Sequence, residues 1–182
     1  MSSKVSSQVI EPYAEALMSL GKEKNLTVEF SEALRELASL WENSPELSSF
    51  LENPLIKAEG KKAVLGQILG DSNVYLKNFM MLLVDRGRIM FLDKIAEKYL
   101  ELFRKLNNVV LAEVTSATTM SEGQLQAVKD KITSLSGATA VEVKTTVDPD
   151  LIGGVIIKVG SQVYDTSIRG QLRRLALNLS KG

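Results

Sequence analysis

The sequence predicts a mainly α chain with a small α+β part: an N-terminal six-helix bundle over residues 1–107, then a small C-terminal α/β domain over 108–182. Three observations carry this. Apolar residues recur at helical spacing up to Leu106. The rhythm changes at Asn107-Asn108, after which β-branched residues alternate with polar ones. The remaining segments then run strand, helix, strand, strand, short strand, helix. A chain of 182 residues is long enough for one large domain or two small ones.

The first helix is expected from Val9 to Lys24, with Ile10, Tyr13, Leu17 and Leu20 on one face. Pro12 is tolerable if it sits in the first turn, where its missing N–H costs nothing. Ala14 and Ala16 keep part of that helix thin. A second helix follows Thr27 as N-cap, with Phe30, Leu34, Leu37 and Trp41 as its seam. Ser44-Pro45 opens a short third helix through Leu51, and Asn53-Pro54 stops it. The fourth runs from Ala58 to Leu69 with Val64, Leu65, Ile68 and Leu69 inward, and Gly70 closes it. The fifth, Val74 to Arg86, is apolar around most of its circumference. Such a helix is surrounded, either at the bundle centre or between bundle and partner. The sixth spans Ile89 to Leu106.

Past Asn108 the first strand is Val109 to Thr118. Ser121 with Gln124 forms a capping box for a helix with the seam Leu125, Val128, Ile132 and Leu135. Val141, Val143, Thr145 and Val147 alternate as a strand, and Asp148-Pro149-Asp150 turns the chain. Val155, Ile157 and Val159 follow, with a Gly160-Ser161 hairpin into Val163-Tyr164. Asp165 is expected to cap a last helix carrying Ile168, Leu172, Leu175 and Leu179 on one side. A domain of this size is marginal alone and is expected to lean on another surface.

Composition narrows the function. Lys+Arg and Asp+Glu are both 22, so no global charge points to nucleic acid or an acidic membrane. Cys and His are both absent, which removes Ser-His and Cys-His nucleophile pairs and leaves only carboxylates for a zinc site. No apolar run approaches the roughly 18 residues that span a bilayer. Met1 to Ser7 lacks the apolar stretch of a signal peptide and the arginines of a transit peptide, so the chain is expected to stay in the compartment where it is made. Gly153-Gly154 lies in no phosphate-binding glycine pattern and reads as the start of a strand. Asp148 and Asp150 flank a proline and read as a turn, not as metal ligands. Catalytic, cofactor and metal residues are therefore expected to be none.

Two charge asymmetries stand out. Residues 27–52 hold six Glu against one Arg, read as a solvated face or as steering for a basic partner segment. From Gly154 to Gly182 there are five Lys/Arg, with Arg169, Arg173, Arg174 and Lys181 on the last helix, against Asp165 alone. That face reads as solvated or as compensating a helix dipole.

Several stretches resemble one family. Tyr13-Ala14-Glu15-Ala16-Leu17 resembles the opening helix of the delta subunits of bacterial and plastid F-type ATP synthases. Asn53-Pro54 with Lys61-Lys62, and Phe79 through Arg88, resemble that family's third-to-fourth helix junction and its fifth helix. The most specific match runs Asp148-Pro149-Asp150-Leu151-Ile152-Gly153-Gly154 to Gly160, then Tyr164-Asp165-Thr166-Ser167-Ile168-Arg169-Gly170-Gln171-Leu172. The resemblance covers essentially the whole chain.

It implies a non-catalytic stator subunit that ties the catalytic head to the peripheral stalk. The implied partners are N-terminal segments of the head's alpha subunits and b-type stalk subunits, with one copy per complex, no nucleic acid and membrane contact only through the complex. Implied head-binding residues are Tyr13, Ala14, Leu17, Phe79, Met80 and Leu83, most of which read equally as core with a minority facing a groove; those for the stalk are Ile168, Arg169, Leu172, Arg173 and Leu175. The implied place is the cytoplasmic or stromal face of a plasma or thylakoid membrane. A soluble helical adaptor for amphipathic helices is the competing reading.

Overall fold

Helix α1 (Ser2–Lys24) begins well before the expected Val9, and Pro12 therefore lies in its interior. The proline forfeits one ladder bond. Ala14, Leu17 and Met18, buried one turn later, anchor the helix to the core. The computed structural model describes residues 2–70 and 72–179. Lys181, assigned to the basic face, lies outside them. Two compact units result, Met1–Phe103 and Arg104–Gly182, divided inside the last turn of α6.

In the first unit, α2 (Thr27–Asn43) is not capped by Thr27. Leu26 occupies the N-cap and no side chain bonds there. Tertiary contacts hold that end. Tyr99 Oη donates to the Thr27 carbonyl at 3.2 Å. Gly21 lets the chains close up, since a Cβ there would lie 3.2 Å from Tyr99 Oη and 3.3 Å from the Phe30 ring. Burial pushes the Tyr99 phenol up to about 12.

Helices α3 (Pro45–Glu52) and α4 (Ala58–Leu69) follow. Ser44 precedes α3 with Pro45 at N1, but its hydroxyl makes no capping bond. The buried Lys61 reaches from α4 to donate to the Leu51 carbonyl at 2.5 Å, which satisfies the end of α3. Of the four α4 residues expected inward, Leu65 and Leu69 are buried while Val64 and Ile68 are half-buried.

Helix α5 (Val74–Asp85) is started by Asn73, whose side chain accepts from the Tyr75 N–H. Within this chain it is enclosed on one side only. Leu76, Met80 and Leu83 are buried, but Val74, Tyr75 and Leu82 form an exposed apolar face. A single 3.6-residue stripe suffices for the core, and the apolar residues beyond it stay partly exposed. The expected sixth helix starts as a 3-10 turn (Ile89–Phe91) before α6 (Leu92–Leu106). Residues from all six helices share one core, in which Leu17, Phe30, Leu34, Leu51, Leu65, Leu76, Met80, Leu83, Ile95 and Tyr99 are almost fully buried.

The second unit is a four-stranded sheet with two helices. Strand β1 (Val109–Ser116), helix α7 (Glu122–Ser136), strands β2 (Ala140–Val147), β3 (Val155–Val159) and β4 (Gln162–Asp165), and helix α8 (Ile168–Leu179) follow in order. The sheet order is β2-β1-β3-β4. β1 and β2 are parallel, joined by the α7 crossover, and the other pairs are antiparallel. The capping box of α7 forms: Ser121 N–H donates to Gln124 Oε1 at 2.8 Å and Gln124 N–H to Ser121 Oγ at 3.3 Å.

Alternation sets the two faces. Ala112 and Val114 of β1 pack with Ile132 of α7, and Val141, Val143, Ile157 and Val159 surround them. The expected α7 seam buries only Ile132 fully, and Leu135 is exposed. The other face presents the row Lys144, Glu113 and Lys158, in register across β2, β1 and β3. Lys158 Nζ lies 2.9 Å from Glu113. Its hydrogen bond and charge hold the Glu113 carboxyl below the usual range, with Lys144 adding to it.

Candidate docking surfaces

The segment that launches α8 explains the glycines before it. Gly154 has φ +75°, and a Cβ there would fall on the Thr166 carbonyl oxygen. A Cβ on Gly153 would lie 2.8 Å from Ile168 Cδ1. The two strands of chain also bond directly. Thr166 N–H donates to the Val155 carbonyl and Ile168 N–H to the Gly153 carbonyl, both at 3.0 Å. The glycine pair is thus a close crossing of backbones.

The cap of α8 is not Asp165, as expected, but Ser167. Asp165 Oδ1 accepts from the Ser167 N–H at 2.9 Å and from the Ser167 hydroxyl at 2.6 Å. The Ser167 oxygen accepts in turn from the Gly170 N–H at 3.0 Å. Asp165 therefore acts through Ser167 and leaves no room for a side chain at Gly170. The Ser167 hydroxyl and N–H hold the Asp165 carboxyl below its ordinary value, helped by Arg174 and Arg169. Asp148, on the preceding turn, accepts from the Asp150 N–H and pairs with Arg169 at 3.4 Å. Both aspartates have structural employment.

Beyond that first turn α8 stands uncovered. Ile168 is 42% exposed, Leu172 53%, Leu175 59% and Leu179 84%, and these four lie on one stripe. Arg169 and Arg173 flank the stripe on one side. The structure therefore brings all five stalk candidates together on one open helix face. Beside its base is a cavity of about 390 Å³, lined by Met120, Val128, Ile152 and Val155 among others. Gly153 belongs both to that lining and to the contact with Ile168.

The six head candidates divide differently. Ala14, Leu17, Met80 and Leu83 are core residues with at most 1% exposure, and Phe79 is nearly as buried. Only Tyr13 reaches the surface in part. Its ring meets Phe79 edge-on at 6.2 Å, and Arg88 stacks over it at 5.3 Å. The open apolar lip beside this pair is made by Tyr75, which Lys24 covers at 5.9 Å, and by Leu82. Sequence reading missed Tyr75 and Leu82. The excess of apolar residues on α5 beyond one core stripe was the signal that could have found them.

Among the described residues no group of three or more acidic side chains gathers as for a metal ion. No helix there is long and apolar enough to cross a membrane.

The chain is similar to known proteins over nearly its whole length. The profile of the ATP synthase delta (OSCP) subunit family matches residues 9–179. An ATP synthase subunit delta from Gloeothece citriformis is 56% identical over 178 residues, covering 97% of each chain. Those of Trichormus variabilis and a Synechocystis species are 56% and 53% identical, over 99% and 96% of this chain and 99% and 95% of theirs. Among solved structures, a chain of the Toxoplasma gondii mitochondrial ATP synthase hexamer superposes with a TM-score of 0.76. It covers 92% of this chain and 95% of its own at 22% identity, a likeness of fold.

Proposed function

Because this chain belongs to the ATP synthase delta (OSCP) subunit family, whose members are non-catalytic parts of the ATP synthase, we propose how its two units divide the stator's work. Torque on the rotor makes nucleotide only if the catalytic head cannot turn with it. The subunit that links head to stalk therefore needs affinity and stiffness, and no bond chemistry.

The helical unit, acting as one six-helix bundle, grips N-terminal segments of the alpha subunits. The groove is the seam of α1 and α5. Tyr13, Leu20, Tyr75 and Leu82 offer apolar surface there, while Ala14, Leu17, Met80 and Leu83 back it from the core. The second unit grips b-type stalk subunits through the α8 stripe, with Arg169 and Arg173 choosing acidic flanks on the stalk helix. One copy serves each complex, on the cytoplasmic or stromal face of its membrane, which it meets only through the complex.

The observation that carries this reading is the uncovered stripe Ile168, Leu172, Leu175 and Leu179. The full chain is titrated calorimetrically with an alpha-subunit N-terminal peptide and with a C-terminal peptide of the stalk subunit. Leu172→Asp should weaken the stalk peptide at least about tenfold, a loss of about 1.4 kcal/mol, and leave the head peptide and melting temperature unchanged. Leu82→Asp should do the reverse. Loss of both peptides by either variant, or of neither, defeats the division.

A further inference from the structure

The α1/α5 seam and α8 leave one strongly patterned surface unused. On α2, Glu29, Glu32 and Glu36 follow at spacings of three and four residues, which stacks three carboxylates on one exposed face. Like charges at these spacings destabilise a helix. Among the described residues no ion pair relieves them. The cations of α4 are engaged elsewhere: Lys61 with the Leu51 carbonyl, and Lys62 with Asp85 at 2.6 Å. The chain as a whole is neutral, so this acidity is local.

The acidic row ends at a groove. A trough of about 260 Å³ runs between α2 and α4. Leu37 and Leu69 form its buried floor, Leu40 and Ile68 its walls, and Glu36 its rim. Leu40 is 38% exposed at the mouth. An apolar trough with Glu36 on its rim, and Glu29 and Glu32 exposed farther along the same helix, complements a helix with leucine-like residues on one face and lysine or arginine beside them. We propose that the α2/α4 groove is a second docking site of the helical unit, and that its occupant is a basic amphipathic helical segment of a partner protein. The local cost of stacking Glu29, Glu32 and Glu36 is then offset on binding, where each carboxylate gains a counter-charge.

The probe is a synthetic helix of about 14 residues, roughly four turns, with leucine at positions i, i+3, i+4 and i+7 and lysine elsewhere. Its twin carries glutamate for lysine. Each is titrated into the full chain while backbone amide shifts are followed. The lysine peptide should bind, weaken as salt rises, and move amides of residues 28–40 and 64–70. The variant with Glu29→Gln, Glu32→Gln and Glu36→Gln should bind about tenfold more weakly, as should Leu40→Ser. All four positions are exposed, so the fold should be kept, and unchanged amide spectra of the free variants verify that. Equal binding by the glutamate twin, unchanged binding by the triple variant, or shifts confined to other helices would overturn the proposal.

Discussion

The two units use the same residue types in opposite ways. In the helical unit, leucines at helical spacing point inward, and nineteen buried side chains from α1 to α6 form one core. In the second unit the described core cluster centres on Ala112, Val114 and Ile132, while Ile168, Leu172, Leu175 and Leu179 are exposed. Periodicity is equally clear in α1 and α8. What differs is whether other elements close over the stripe. The first unit can hold itself together. The second leaves much of its apolar surface exposed.

The sharpest way to test this contrast is to put one charge on each stripe. Leu17 is 1% exposed, so Leu17→Asp buries a carboxylate with no partner and should cost several kcal/mol, abolishing the cooperative melt of the helical unit. As a docking variant it would be uninformative, because binding would fail with the fold. If Leu17→Asp melts like the parent chain, the core described for α1 is wrong.

A middle-sized effect is expected where the second unit launches its helix. Gly154→Ala forces a side chain into φ +75° and onto the Thr166 carbonyl oxygen. It should cost about 3 kcal/mol. Calorimetry should show the loss in the second unit, with the stalk peptide released and the helical unit unaffected. A loss shared by both units would blur the comparison.

The smallest effect concerns the cap. Ser167→Ala removes the acceptor for the Gly170 N–H and should cost about 1 kcal/mol. It also removes the main cause of the lowered Asp165 carboxyl. A carboxyl depressed in the folded state adds stability above its ordinary value of 3.8, and that stability fades as pH falls through the folded-state value. The parent should therefore lose stability more steeply than Ser167→Ala below that point. Parallel acid denaturation curves would dissociate Asp165 from the cap.

Much of this architecture was legible in the sequence, for reasons that can be located. Helix α4 begins at Ala58 and ends at Leu69 as its spacing predicts, because Gly70 ends it without ambiguity. The Ser121–Gln124 box and the order of strands and helices after Asn108 were equally readable, since capping and alternation are local signals. What failed was tertiary. Thr27 looks like a cap, but Tyr99 holds that turn from α6. Asp165 has cap chemistry, yet Ser167 stands two residues nearer the helix and takes the role. The start of α1 carries no apolar period and so announces nothing. The docking candidates show the limit most plainly: Leu17 and Leu172 carry the same side chain at the same spacing, and only the fold separates core from surface.

One feature of the α8 cap reaches beyond stability. The machine this chain serves moves protons, so acidity changes around it as it runs. This sequence contains no histidine, the side chain whose ordinary titration falls near neutrality. The carboxylate that secures the exposed helix is pinned on the acid side of its usual range. The hold on α8 is therefore deaf to pH fluctuations around neutrality.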